Sequence, residues 1–360
     1  MKDRLLSLIR CLKCGGSFSL RAYRKEGGEV ISGKLDCRHC GTEYPIIRAV
    51  PRILPEEMME ELVFAKYPRF MEKYSGKFRR LRAGAKDSFE RNAKRRTSKS
   101  FGFEWKKFPE YHGNYTRQFL DWLSPFKPSM FKGKMVLDAG CGMGRHMFVA
   151  SKYCREIVGI DLSEAVDAAY GNLRLEKNFH LVQADIYNLP FGREFDLVYS
   201  IGVLHHLPDP EKGFRSLLKH VRRGGKIFVW VYGWENNFVM TRVIEPIRKY
   251  FTSHLPHRML YYLSYPVTAL LELSCAFYRI ASAIPLIGKY SKFLPSSAYL
   301  LYISKFSFRH KLAIVFDFLS APLARYYKQG EFRNWFLAAN LAPQIYPHNQ
   351  NSWKALATVE

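Results

Sequence analysis

The chain has 360 residues, with 56 Lys and Arg against 32 Asp and Glu and a formal net charge of +24. That length holds two or three domains with a well-buried core. The charge calls for an anionic partner such as nucleic acid, an acidic membrane surface or an acidic protein, and says little of the fold. No uncharged stretch reaches the roughly 18 residues of a membrane span, and the start, MKDRLLSLIRC, has too short an apolar run for a signal peptide. A cytoplasmic location is expected.

Residues 1–56 carry four of the seven cysteines as two tight pairs, Cys11-Leu-Lys-Cys14 and Cys37-Arg-His-Cys40. Glycines follow each pair (Gly15, Gly16 and Gly41), allowing a knuckle that points both sulfurs at one ion. Four thiolates suit a closed, tetrahedral, structural Zn2+ site. The other three, Cys141, Cys154 and Cys275, lie scattered in apolar contexts as reduced thiols, which excludes a disulfide framework. Between the knuckles, Glu29 to Leu35 alternates like a hairpin strand around Gly33. The CxxC pairs, the GKLDCRHC segment and the YPI…VPRILP tail make residues 5–56 resemble the zinc-ribbon family of tRNA-methyltransferase activators. That resemblance implies a module that stabilises or activates a methyltransferase.

Residues 57–110 form a basic connector. Lys66 to Lys107 holds fifteen Lys and Arg against four acids, a balance of +11, with Tyr67, Phe70, Tyr74, Phe78 and Phe89 interleaved. Cations with stacking aromatics suit RNA; a helical linker packed on its neighbour by those aromatics fits equally. Ser100 to Trp105 (SFGFEW) reads as a folded cap.

From 111 to 233, strands and helices alternate. Lys134 to Asp138 is a first strand and Gly144 to Tyr153 a first helix, joined by a turn with Gly140, Gly142 and Gly144 in alternation. Glu156 to Ile160, Phe179 to Ala184, Phe195 to Ile201 and Lys226 to Tyr232 are further strands. Helices are expected from Ser163 to about Lys177 and over Pro210 to Val221. Continuous apolar strands between helices predict a parallel sheet covered on both faces. The GxGxG spacing is one residue shorter than the dinucleotide fingerprint.

VLDAGCGMGRH, VGIDLS, QADIYNLPF, FDLVYSIGVLHHLPDP and RRGGKIFVWVY, in this order, resemble class I S-adenosylmethionine (SAM) methyltransferases of the type 11 group. The resemblance implies an α/β fold with a Rossmann-like seven-stranded sheet, and a SAM pocket built as follows. Backbone N–H groups from Gly140 to Gly144 meet the methionyl carboxylate and Asp138 the α-ammonium. Asp161 meets the ribose, Leu162 the adenine face, and Asp185 with the Ile186 backbone the adenine edge. Ser200 and Ile201 line the channel under the sulfonium. His206, with His205 beside it, is the candidate base, against a cofactor-packing role. The acceptor position lacks an (N/D)PPY-like turn, which counts against one nucleic-acid subclass.

Residues 234–310 are an insertion rich in Tyr, Phe, Leu and Pro, broken by Pro266 and Pro285 into short helices with a wide apolar face. Three uses fit: a self-packed lid, a lid over an apolar substrate, or peripheral contact with a membrane surface. Residues 311–360 complete the domain with a helix over Glu331 to Leu341 and two closing strands, Pro343 to His348 and Trp353 to Val359.

The leading expectation is SAM-dependent methyl transfer to a small-molecule or lipid-like acceptor. The alternative is an RNA (rRNA or tRNA) methyltransferase using the ribbon and the connector. The third is a non-catalytic module that retains SAM as a structural ligand.

Overall fold

The computed structural model describes residues 1–74, 76, 78, 88–111, 114–291 and 296–360, so Arg79, Arg80 and Arg82 of the connector lie outside the described residues. A short helix α1 (Asp3–Leu8) precedes an antiparallel sheet of β1 (Phe18–Glu26), β2 (Glu29–Cys37), β3 (Glu43–Ile47) and β4 (Val50–Pro51) in that order. Helices α2 (Glu56–Leu62), α3 (Pro68–Tyr74), α4 (Phe89–Lys107) and α5 (Asn114–Leu123) follow. The Ser88 side chain caps α4 by accepting from the Arg91 N–H.

The second sheet has seven strands. β5 (Met135–Ala139) leads through α6 (Arg145–Ala150) to β6 (Glu156–Asp161), and α7 (Ala165–Leu173) leads to β7 (Phe179–Gln183). β8 (Phe195–Ile201), α8 (Pro210–Leu218) and β9 (Val221–Tyr232) follow, and α14 (Gln329–Leu337) precedes β10 (Gln344–His348) and β11 (Ser352–Thr358). The order is β10-β11-β9-β8-β5-β6-β7, with β11 antiparallel to both its neighbours and the other pairs parallel. Every residue of β5, β7 and β8 is buried, which explains why apolar residues dominate on both faces of each strand. Chain order reverses between β5 and β8, and a crevice opens at their carboxyl ends.

The N-terminal sheet is fused to the larger one. The Ile53 N–H donates to the Gln183 carbonyl (2.9 Å), and Arg52 bridges Gln183 in parallel register beyond β7. Leu5, Ile9, Phe18 and Val30 share one core with Leu137, Val158 and Val182. Arg52 is fully buried at this seam, donating to the Gln183 side chain (3.2 Å), the Ile47 carbonyl (2.9 Å) and Asp167 (2.5 Å) under the Tyr67 ring.

The insertion contains α9 (Glu245–Tyr250), α10 (His257–Ala283), α11 (Pro285–Ser291) and α12 (Ser297–Ile303), and α13 (Phe308–Ser320) straddles the expected boundary at 310. Pro266 does not break the run as expected: it sits inside the 27-residue α10. It lies on the exposed face, where water can take the carbonyl its missing N–H leaves unmatched, and Ser264 and Thr268 bond back to the carbonyls four residues earlier. Pro285 instead opens α11. Among the described residues, no helix is long and apolar enough to cross a membrane.

Arg52→Ala removes the buried guanidinium that joins the Gln183 side chain and the Ile47 carbonyl, while Asp167 keeps Arg48 (3.0 Å) and the Tyr67 hydroxyl (3.0 Å). It should therefore lower unfolding stability by about 1–3 kcal/mol, measured by urea titration; no loss would contradict this account of the seam.

Candidate active site

The turn after β5 is shaped by its glycines. Gly140 has φ +90°, and a Cβ there would lie 2.4 Å from Val203 Cγ2. Gly142 has φ +52°, and a Cβ there would press to 3.0 Å on Trp105 Nε1. The Gly142 N–H donates to Asp161 Oδ2 (3.0 Å), while Oδ1 accepts from the Ser163 N–H (2.8 Å) and hydroxyl (2.7 Å). Burial raises the Asp161 carboxyl above its ordinary value. Beyond β7, Asp185 accepts from the Tyr187 N–H, the Asn188 amide and Lys94 Nζ (2.8 Å). A carboxylate offers about four acceptor positions, so each retains about one for a ligand.

Gly140, Gly142, Asp161, Leu162, Asp185, Ile186, Ile201 and His206 line one cavity of about 110 Å³. Asp138, Gly144, Ser200 and His205 do not line it. Asp138 is buried beneath the turn, where the Tyr199 hydroxyl donates to Oδ2 (2.8 Å) and Oδ1 has no hydrogen-bond partner among the described residues. Gly144 caps α6 with φ +81°, its Cβ position filled by Leu173 and Ala169. The Ser200 hydroxyl donates to the Ala139 carbonyl (2.9 Å). His205 is sealed against Tyr232, ring centroids 3.8 Å apart, with no hydrogen-bond partner for either ring nitrogen among the described residues. His206 Nδ1 meets the Leu323 carbonyl at 2.5 Å, and burial lowers its pKa, keeping the ring neutral.

The expectation named no residue of α4 in the cofactor site, yet Lys94, Ser98, Phe101 and Trp105 of that helix roof the cavity. Their spacing of four, three and four marks one helical face. That stripe was present in the sequence and hidden by its charged neighbours. Arg145 was also missed; its guanidinium sits over the rings of Trp105 (5.1 Å), Tyr115 (5.5 Å) and Trp122 (5.5 Å).

A second cavity, of about 150 Å³, adjoins the first and shares Phe101, Trp105, Arg145 and Gly202 with it. Its other walls come from α5, β9, α12 and α13, including Trp122 stacked on Trp230 at 4.9 Å. Insertion and connector thus close a single aromatic chamber beside the glycine turn.

Residues 137–229 match the family model described as a methyltransferase domain. This part of the chain is a methyltransferase domain. The chain is 29% identical over 141 residues to the tRNA U34 carboxymethyltransferase of Alteromonas mediterranea, covering 35% of this chain and 42% of that protein. It is 29% identical over 120 residues to the tRNA (carboxymethyluridine(34)-5-O)-methyltransferase alkbh8 of Xenopus tropicalis, covering 32% of this chain and 18% of that one. The chain thus spans less than half the length of these relatives. A complex between the Haloferax volcanii Trm112 methyltransferase activator and a putative methyltransferase aligns with a TM-score of 0.42 at 11% identity, over 72% of this chain and 97% of that one.

The cofactor of the methyltransferase domain is SAM. The cavity fits it: two carboxylates stand at strand ends with acceptor capacity to spare, Leu162, Ile186 and Met143 give apolar walls, and the turn exposes backbone at Gly140 to Met143.

The four cysteine sulfurs of the ribbon lie within 4.8 Å of one another, with Cys11–Cys40 at 3.6 Å and Cys14–Cys37 at 3.5 Å. A tetrahedral zinc site with bonds of about 2.3 Å has sulfur–sulfur edges of about 3.8 Å, so the cluster fits Zn2+. Hydrogen bonding with Thr42 lowers the Cys40 thiol while burial raises that of Cys11, so these neighbouring thiols titrate as a set.

Metal analysis of the purified chain should find one zinc per molecule and none in Cys37→Ser; a Cys37→Ser chain that keeps its zinc would contradict the four-sulfur site. A second expectation concerns Asp138, whose carboxyl burial pushes up to about 7. The unfolded group titrates near about 3.9, so the folded chain binds more protons between about pH 4 and 7. Its contribution to stability is complete below about pH 4 and is lost as the pH rises through about 7. Ligand-free Asp138→Asn should lack this fall in urea midpoint between about pH 4 and 8; identical slopes in both proteins would refute the assignment.

Proposed function

We propose that the chain is a SAM-dependent methyltransferase whose acceptor is an RNA base. The observation that carries this reading is the contact between the two cavities across Phe101, Trp105, Arg145 and Gly202. A cofactor in the first would face an acceptor in the second. SAM supplies a methyl group already activated on a sulfonium, so the chain's contribution is chiefly positioning. The roof of α4 excludes water, the turn after β5 orients the methionyl end and Asp161 the ribose, and the stacked Trp122 and Trp230 offer faces for a flat ring.

The RNA reading is supported by relatives named for tRNA modification and by the +11 connector. Several of that connector's cations are already engaged: Lys94 with Asp185, Arg95 with Glu61, Lys106 with Glu164, and Arg96 with the Ser253 carbonyl. RNA contact therefore falls to its remaining cations. A second reading, transfer to a small-molecule or lipid-like acceptor, is favoured by the exposed Leu270, Leu273 and Phe277 on α10.

Incubating the chain with methyl-labelled SAM and a whole-cell extract separates the two. Label should enter the RNA fraction, be released by nuclease, and decline as salt rises. Label confined to the nuclease-resistant, organic-soluble fraction would overturn the RNA acceptor in favour of the second reading.

A further inference from the structure

The aromatic cavity contains polar groups with nothing to bind. Glu104 of α4 is 3% exposed, and its Oε2 has no hydrogen-bond partner among the described residues. The same holds for Asp317 Oδ1 on α13, Gln118 Oε1 on α5 and Trp230 Nε1 on β9, all lining this cavity. Such orphans occur at a few per hundred residues in native proteins, and it is their gathering around one chamber that calls for an account. Four around one chamber, from four elements, describe the imprint of a ligand that carries both donors and acceptors.

The chemistry of that ligand follows from the two carboxyls. Burial raises Glu104 well above the ordinary carboxylate range, and the charge of Asp317 adds to the effect. Arg145 of α6 opposes the shift, and the Tyr115 hydroxyl of α5 also faces Glu104. Asp317 is faced by Tyr232, whose hydroxyl donates to Oδ2 at 3.5 Å, and by Tyr299, Tyr326 and His206. A protonated Glu104 and the Trp230 N–H are donors; Asp317 and the Gln118 carbonyl are acceptors. Between aromatic faces, that alternation matches the edge of a planar heterocycle with adjoining N–H and carbonyl groups.

We propose that this cavity holds such a heterocycle as the methyl acceptor, that Glu104 and Asp317 grip its N–H/carbonyl edge, and that the pair takes up the proton released on methylation. The inference rests on the transferase reading above and deepens it. The bond from the acceptor atom to the methyl carbon forms as the sulfur–methyl bond breaks, and that electron pair stays on sulfur. The acceptor's proton passes to the ionised member of the pair and then to solvent. Asp317, whose charge acts on Glu104, is then the base and the protonated Glu104 the hydrogen-bond donor, two roles in one chamber.

The test compares the full chain with Glu104→Gln, Asp317→Asn and Glu104→Asp, using methyl-labelled SAM and whole-cell extract as the acceptor pool. Glu104 and Asp317 line only the acceptor cavity, so calorimetric binding of S-adenosylhomocysteine should be unchanged in all three. Asp317→Asn, which removes the base, should slow transfer about 100-fold or more and abolish any rise of rate with pH that the unaltered chain shows. Glu104→Gln keeps a donor in place of the protonated carboxyl and should retain that rise with a smaller loss of rate, and Glu104→Asp, one methylene short of the acceptor, should lose rate without losing the rise. Unchanged rates and pH profiles, or rate losses that follow lost S-adenosylhomocysteine binding, would overturn the inference while leaving the transferase reading intact. An unaltered chain that labels nothing in the extract would overturn both.

Discussion

Much of the molecule depends on one buried ion pair. Lys94 and Asp185 meet at 2.8 Å with side chains only 4% and 2% exposed, and they pin α4 across the mouth of the cofactor cavity. Placing two charges in the interior costs desolvation that their attraction repays only with good geometry. Here Glu90 and the Tyr187 ring also meet the ammonium, and two further donors meet the carboxylate. What the pair contributes is register. With Lys94 fixed, one helical face delivers Ser98, Phe101 and Trp105 to the cavity, while Glu104 projects into the neighbouring chamber.

The same helix ties the molecule together. Lys106 and Lys66 converge on Glu164 at the start of α7, Arg95 reaches Glu61 on α2, and the Ser100 hydroxyl donates to the Ser320 carbonyl at the end of α13. The ribbon reaches the sheet through Arg52, whose partner Asp167 lies on α7 beside those lysines' target. Ribbon and sheet therefore share one apolar core, and the connector is tied to both sides by these charged contacts.

The parts legible in the sequence were those whose pattern is local. β8 coincides with Phe195–Ile201 because every one of its side chains is buried, and a run of that kind has no competing reading. The turn at Gly140 and Gly142 was legible because positive φ leaves few residue choices. Pro266 misled because a proline's effect depends on which face it occupies, and only the packed helix reveals that face. At Asp138 the position at a strand end was legible, but the Tyr199 hydroxyl that donates to its Oδ2 comes from a strand sixty-one residues on and was not. The acceptor chamber was not legible at all. Glu104, Gln118, Trp230 and Asp317 come from four separated segments, and nothing short of the fold brings them together.

Charge was the most conspicuous feature of the connector and the least informative about its structure. Several of its cations are spent inward, on Glu61, Glu90, Glu164 and Asp185, while its aromatic residues supply the roof and the seam. The excess that gives the chain +24 is therefore not equivalent to a free basic surface. A partner that reads this protein electrostatically meets only the cations left over. On the proposal above, selection of the acceptor then falls to the chamber itself, where aromatic faces are indifferent to sequence and the unmatched carboxyl, amide and indole groups are not.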